Sequence, residues 1–320
     1  MKLSLLSRLM DRPSQPQANA RNLTRRSFLQ TCAVAVAATG AGSPRLFGAA
    51  SEPTTDKQVP LKLGIRAATM KMVGDTNVIR VAAGIAGIRG VELQVAAGGA
   101  HNLRDWDVVR QYKRESDRWD IRIPSLAGIW DQGVNISSPN AGENIQLAIR
   151  AAEKLGSGVI LLAFFDKNAP DMNREESYGP VVTTLRKTAP VAADAGVLLG
   201  LENSLSPADN VKLLDLVGHK AVRVYYDLYN MTTYGHGAEA VPGVKLFGRD
   251  RICAVHVKNG NKLIEQPGPI DWAAAFAAFN EIGYEGWFTY ETGHKTLADC
   301  LADTARNNAF LAKHIRMPTV

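Results

Sequence analysis

The feature that most constrains this chain is a repeated alternation. From Leu61 onward, short apolar runs rich in Val, Ile and Leu alternate with longer stretches of helical periodicity. The runs fall at 62–66, 90–94, 121–126, 159–163, 197–202, 223–227, 252–258 and 287–291. Strands that are apolar on both faces belong to parallel sheets, because the crossover helices cover them. Eight such βα units fill the usual span of a (β/α)8 barrel, about 250 residues. The rival arrangement is an open doubly wound sheet. It would place a Gly-x-Gly-x-x-Gly turn after the first strand, whereas Gly84, Gly87 and Gly90 are spread across a helix end. The sequence therefore predicts an α/β protein with a single TIM-barrel domain over residues 61–316.

Between the strands, Ser138 is placed to cap a helix with apolar positions Ile145, Ala148, Ile149, Ala152 and Leu155, ended by Gly156. A second helix is expected over 177–195, kinked at Pro190, and a third opens at Ser206-Pro207 with proline in its first turn. Residues 271–282 and 297–315 supply the last two.

Ahead of the barrel lie two other segments. Residues 1–50 contain Thr24-Arg25-Arg26-Ser27-Phe28-Leu29-Gln30, then an Ala-rich weakly apolar run over 31–42, then small residues at Gly48-Ala49-Ala50. That order resembles a twin-arginine export signal and implies the export machinery as a partner and the periplasm as destination. Residues 51–60 read as a polar linker. The apolar run is too short for a lasting membrane span, and nothing later approaches the required length. The leader also explains the charge. It holds seven Lys/Arg and one acid, which accounts for the whole formal +6. The remainder is balanced, so nothing in it argues for nucleic acid binding. Cys32 lies in the leader, and Cys253 and Cys300 read as packed thiols rather than a disulfide framework. Self-association is left open.

The chemistry collects at the ends of strands five to eight. Glu202, Asp227, His256 and Glu291 each terminate an apolar run, one βα unit apart. In a barrel this sets all four around the C-terminal mouth, where active sites of this fold lie. Three carboxylates and an imidazole make a hard, oxygen-rich donor set for one divalent ion. Mn²⁺ suits it best, with Co²⁺, Mg²⁺ and Zn²⁺ as other candidates. The alternative is an unrelated set of polar rim residues. Further candidates for substrate contact are Glu92 at the end of strand two, Lys258 beside His256, Asn230, His236 and Trp130. For Glu92 a rim salt bridge, and for Lys258 a pairing with a ligand carboxylate, are equal alternatives. His101, Trp106 and Tyr226 are further candidates; for His101 and His236 a solvated loop position, and for Trp130, Trp106 and Tyr226 ordinary packing, is the commoner fate. His219 and His294 read as helix-end residues.

The stretches Gly200-Leu-Glu-Asn-Ser, Tyr225-Tyr-Asp-Leu-Tyr-Asn, Ala254-Val-His-Val-Lys-Asn, Pro267-Gly-Pro-Ile-Asp-Trp and Gly283-Tyr-Glu-Gly-Trp-Phe-Thr-Tyr-Glu resemble the xylose-isomerase-like TIM-barrel superfamily. That group includes ketose 3-epimerases, hydroxypyruvate isomerases, inosose dehydratases and endonuclease IV. The resemblance implies one divalent metal on Glu202, Asp227, His256 and Glu291. It also implies that Glu202 and Glu291 double as the proton carriers, each disengaging partly from the cation to act as a base. Three positions depart from the pattern. Asn230 stands where ketose 3-epimerases carry a substrate-binding histidine, Asn259 replaces a common Asp, and Lys262 lies near a frequent Arg. These departures leave the sugar unspecified. Asn230, the lack of an Asp-x-His motif and the balanced charge argue against the nuclease branch.

The expected activity is isomerisation or epimerisation of a sugar through an enediolate. The same base and metal could instead eliminate a leaving group from a 3-keto-glycoside, a lyase or dehydratase reaction. A non-catalytic, metal-dependent sugar-binding protein is the third reading.

Overall fold

The computed structural model describes residues 61–97 and 102–315. The export signal, the linker and His101 fall outside the described residues. Eight parallel strands close into one barrel in sequence order. They are β1 (Leu63–Arg66), β2 (Ile88–Gln94), β3 (Ser125–Ala127), β4 (Val159–Phe164), β5 (Leu198–Asn203), β6 (Val222–Asp227), β7 (Ile252–Val257) and β8 (Trp287–Tyr290). Ring closure is direct: Leu63, Gly64 and Ile65 pair with Phe288, Thr289 and Tyr290. The fold is the one the alternation predicts.

The outer layer holds nine helices among the described residues. These are α1 (Asn77–Ala83), α2 (Trp106–Trp119), α3 (Ala141–Leu155), α4 (Glu175–Asp194), α5 (Pro207–Val217), α6 (Leu228–Thr233), α7 (Ala240–Arg251), α8 (Trp272–Glu281) and α9 (Leu297–His314). The main hydrophobic core lies in the ring between strands and helices. A second, small cluster of Ala127, Val159, Leu161, Tyr225, Cys253 and Ala254 fills the barrel interior. Alternation along the strands produces this division, since successive side chains point to opposite faces, except in β7, where an irregular register against β6 brings both Cys253 and Ala254 to the interior. Both barrel cysteines are free and buried, as their settings suggested.

Three expectations need correction. The third strand is shorter and later than 121–126. Pro124 has no N–H to donate, so Arg122 makes only an isolated bridge to Gly90 before regular pairing starts at Ser125. Ser138 does not cap α3. The helix starts at Ala141 after Asn140, and the Ser138 hydroxyl instead accepts from the Asn135 N–H at 3.0 Å. Finally, α4 starts two residues early and runs through both Pro180 and Pro190 to Asp194. Gly156 closes α3 in the left-handed conformation, and Ser206 caps α5 through the Asp209 N–H, both as expected.

Candidate metal centre and substrate cavity

Inward-facing positions of neighbouring strands bring four side chains to one point. Glu202 comes from β5, Asp227 ends β6, His256 lies in β7 opposite Asp227, and Glu291 follows β8. One donor atom from each lies within 4.8 Å of the other three. The imidazole Nδ1 sits 3.0 Å from Glu202 Oε1, 3.4 Å from Glu291 Oε2 and 4.0 Å from Asp227 Oδ2. Glu202, Asp227 and His256 are buried, while Glu291 is partly open to the mouth.

The surrounding charges bear on what such a site could hold. Glu92 and the three cluster carboxylates face two permanent cations, Arg66 and Lys258. With a neutral histidine two net negative charges remain in a region of low dielectric, which a divalent ion would balance; without an ion, a proton on His256 offsets one of them. The titration behaviour points the same way. Burial, reinforced by the charge of Glu202, raises Asp227 above the usual carboxylate range against the pull of Lys258 and His256. For Glu202 burial is again the largest influence, but His256, Lys258 and Arg66 outweigh it and lower the group. His256 is pushed down by burial yet raised more strongly by Glu92 and Glu202, to about 9. Carboxylates this close compete for positive charge, whether a proton or a cation. The donor set could therefore hold a divalent metal, and its composition fits the hard ions.

A cavity of about 270 Å³ opens over the cluster, lined by Arg66, Leu161, Phe165, Glu202, Asn230, Tyr234, Lys258 and Glu291 with small residues between them. Its scale suits a small ligand. Lys258 Nζ lies 2.7 Å from Asp227 Oδ2 and 2.8 Å from Glu291 Oε2, so the pairing with ligand carboxylates is present and the amine still borders the cavity. Asn230 also lines it. Its amide donates to Glu202 Oε1 at 3.1 Å, while its backbone N–H caps α6 on Asp227 Oδ1.

Other candidates lie elsewhere. Glu92 is buried and is not among the lining residues; its Oε1 lies 2.6 Å from Arg66 Nε, so of its two alternatives the salt bridge is present, below the rim rather than on it. Trp130 turns its indole N–H to the Ala163 carbonyl at 2.8 Å and stays outside the lining. His236 is held by its backbone N–H on the Met231 carbonyl, with Nδ1 3.8 Å from Glu239, also outside it. Tyr226 points outward, donating to the Ala240 carbonyl and packing on Phe247. Trp106 is exposed at the start of α2. Lys262 reaches the Pro267 carbonyl rather than the cavity.

Three lining residues went unread in the sequence. Arg66 ends β1 at the same height as the ligands and bonds both Glu92 and Glu291. Phe165 directly follows β4 and stacks on Tyr234, ring centres 5.4 Å apart. The rule that found the ligands, namely the residue that ends each strand at the mouth, also points to Arg66 and Phe165. Tyr234 carried no such signal.

Fold and site together define a (β/α)8 barrel with three carboxylates and a histidine, a set that could hold a metal ion, gathered at its mouth. Residues 79–314 match the family model described as xylose isomerase-like TIM barrel, and the chain belongs to that family. It is 28% identical over 160 residues to a 2-epi-5-epi-valiolone 7-phosphate 2-epimerase from Actinoplanes sp., a match covering 49% of this chain and 58% of that protein. It is 26% identical over 165 residues to an L-ribulose 3-epimerase from Methylomonas sp., covering 49% and 55% respectively. The chain thus spans little more than half the length of these curated relatives. Among solved structures, a D-allulose 3-epimerase from Methylomonas sp. in complex with D-allulose superposes with a TM-score of 0.64. At 21% identity, that alignment covers 80% of this chain and 97% of the other, a likeness of fold.

Proposed function

We propose that this chain is a metal-dependent sugar isomerase or epimerase that moves a proton at a carbon beside a carbonyl. One observation carries the reading: Glu202 and Glu291 belong to the four-ligand cluster and also line the cavity above it. The epimerase names of its partial relatives support the same class. Glu202, Asp227, His256 and Glu291 would hold one divalent ion, with Mn²⁺ the best fit to three oxygen donors and one nitrogen. When bound, the cation supplies positive charge that lowers the cost of an enediolate.

The protein's own groups do the rest. Glu202 and Glu291 remove and return the proton, each a carboxylate with access to the cavity. Asn230 steers Glu202 by donating to Oε1, and Arg66 with Lys258 orients Glu291 through ion pairs. Lys258 Nζ can donate to a substrate oxygen as charge builds there. Leu161, Phe165 and Tyr234 offer the apolar wall that shields the reacting carbon from water. Conversion of a ketose panel should vanish in chelator and return with added Mn²⁺ or Co²⁺. Full activity in a protein shown to be metal-free would overturn the reading.

The same reading places the enzyme in the periplasm, on the strength of the Arg25-Arg26 motif and the small-residue stretch behind it. Changing both arginines to lysine should leave the precursor in the cytoplasm. An unchanged periplasmic yield would remove that assignment.

A further inference from the structure

Beneath the cluster lies a buried polar layer that never meets the cavity. Glu92, on β2, is 1% exposed and is not itself a lining residue, touching the cavity wall only through Arg66. Its Oε2 accepts from the Ser125 hydroxyl at 2.8 Å and the Tyr225 hydroxyl at 2.8 Å, and lies 3.3 Å from His256 Nε2. Its Oε1 is 2.6 Å from Arg66 Nε. The two faces of the His256 ring are thereby distinguished. Nε2 looks at Glu92, and Nδ1 looks at Glu202, Asp227 and Glu291. The ring of Tyr225 packs against the imidazole, centres 4.4 Å apart, which limits rotation about the side chain.

We infer that Glu92 is a positioning residue for the metal centre: it holds the His256 proton on Nε2 and so presents the Nδ1 lone pair to the cation. This rests on the reading that the cluster binds a divalent ion. Both ring nitrogens face a carboxylate, Nε2 Glu92 at 3.3 Å and Nδ1 Glu202 at 3.0 Å, and each contact is favourable only with a hydrogen between. A cation among the three carboxylates takes the place of the hydrogen on Nδ1 and leaves the one on Nε2, facing Glu92. The opposite tautomer would set a lone pair against Glu92 and an N–H toward three carboxylates and a cation. Partners of this kind fix ring orientation and raise ligand basicity, and losing one typically costs about 10–100-fold in metal affinity. Arg66 and the two hydroxyls complete the arrangement. The hydroxyls donate to Oε2 and the Arg66 guanidinium balances the charge at Oε1, which lets a buried carboxylate persist beside the histidine. Glu92 acts through His256 and does not touch substrate.

The test compares the unaltered protein with Glu92→Gln, titrating Mn²⁺ into each by calorimetry and following folding by thermal unfolding of the same samples. Gln keeps the size and an accepting oxygen but loses the charge. The Mn²⁺ dissociation constant should rise about 10–100-fold while the variant still unfolds cooperatively. A second measurement needs no variant. In the Zn²⁺-loaded protein, nitrogen-15 NMR of the His256 ring should show the proton on Nε2 and the metal on Nδ1. A proton on Nδ1, or equal Mn²⁺ affinity in the two proteins, would overturn the role of Glu92 alone. Failure of the unaltered protein to bind any divalent ion would overturn the metal reading, and this inference with it.

Discussion

Each of the four ligand side chains is unremarkable alone, since an acid after a strand is usually just solvated. On the proposed reading they divide into two roles, and substitution can separate them. Glu202 and Glu291 face the cavity, whereas Asp227 is buried and capped onto α6. Gln keeps a carbonyl oxygen for the cation but cannot take a proton at neutral pH. At saturating Mn²⁺, Glu202→Gln and Glu291→Gln should therefore lose about 10²–10⁴-fold in kcat, well below a metal-rescued Asp227→Asn. Equal rescue of all three would show that the glutamates only hold metal. Since Glu92 is walled off from the cavity, Lys258 would then be the proton carrier to test. Residue identity was the part of the site that the sequence conveyed best. Direction was conveyed less well. For Tyr226 the sequence leaves both stacking on a sugar and ordinary packing open, and the two-residue period decides it: with Asp227 facing inward, Tyr225 turns in and Tyr226 out, onto Phe247.

At the scale of elements, the ligands meet because β5 to β8 end at one level, and the glycines show how tightly the strands are packed to achieve this. A Cβ on Gly90 in β2 would lie 2.7 Å from Trp287 Cζ3 and 2.9 Å from Pro124 Cδ. Gly90→Ala should destabilise the fold by about 1–3 kcal/mol through overpacking. Gly179, inside α4, has no atom within 4 Å of such a Cβ. Gly179→Ala should instead add roughly 0.5–1 kcal/mol by helix propensity. Urea midpoints of the two variants should move in opposite directions; a shared direction would refute the packing argument. A missing donor explains why β3 was misjudged. Its apolar run is genuine, but Pro124 breaks the ladder, and the early residues touch β2 at a single bridge. Loop contributions were the least legible. Trp130 and His236 sit in mouth-side connections but turn elsewhere, while Tyr234 reaches the cavity and stacks on a residue from β4. No local periodicity encodes such meetings between distant loops.

For the molecule as a whole, the barrel keeps its apolar mass in the outer ring and reserves the upper interior for charge. That separation concentrates four carboxylates, a histidine, Arg66 and Lys258 beneath one cavity, an arrangement too costly for stability alone. The eightfold alternation and the spacing of its polar strand ends made this architecture readable from sequence. The substrate was not readable, because Asn230, Phe165 and Tyr234 shape the cavity without matching any one sugar. The central claim is proton transfer at a carbon beside a carbonyl. It is tested most directly by incubating the Mn²⁺-loaded protein with a panel of ketoses and keto-glycosides in D₂O, then removing the metal and recording NMR spectra. The account predicts deuterium at the carbon next to the carbonyl of at least one sugar, together with its epimer or isomer. A metal-loaded protein that binds a sugar of the panel yet leaves every such C–H bond untouched would contradict it.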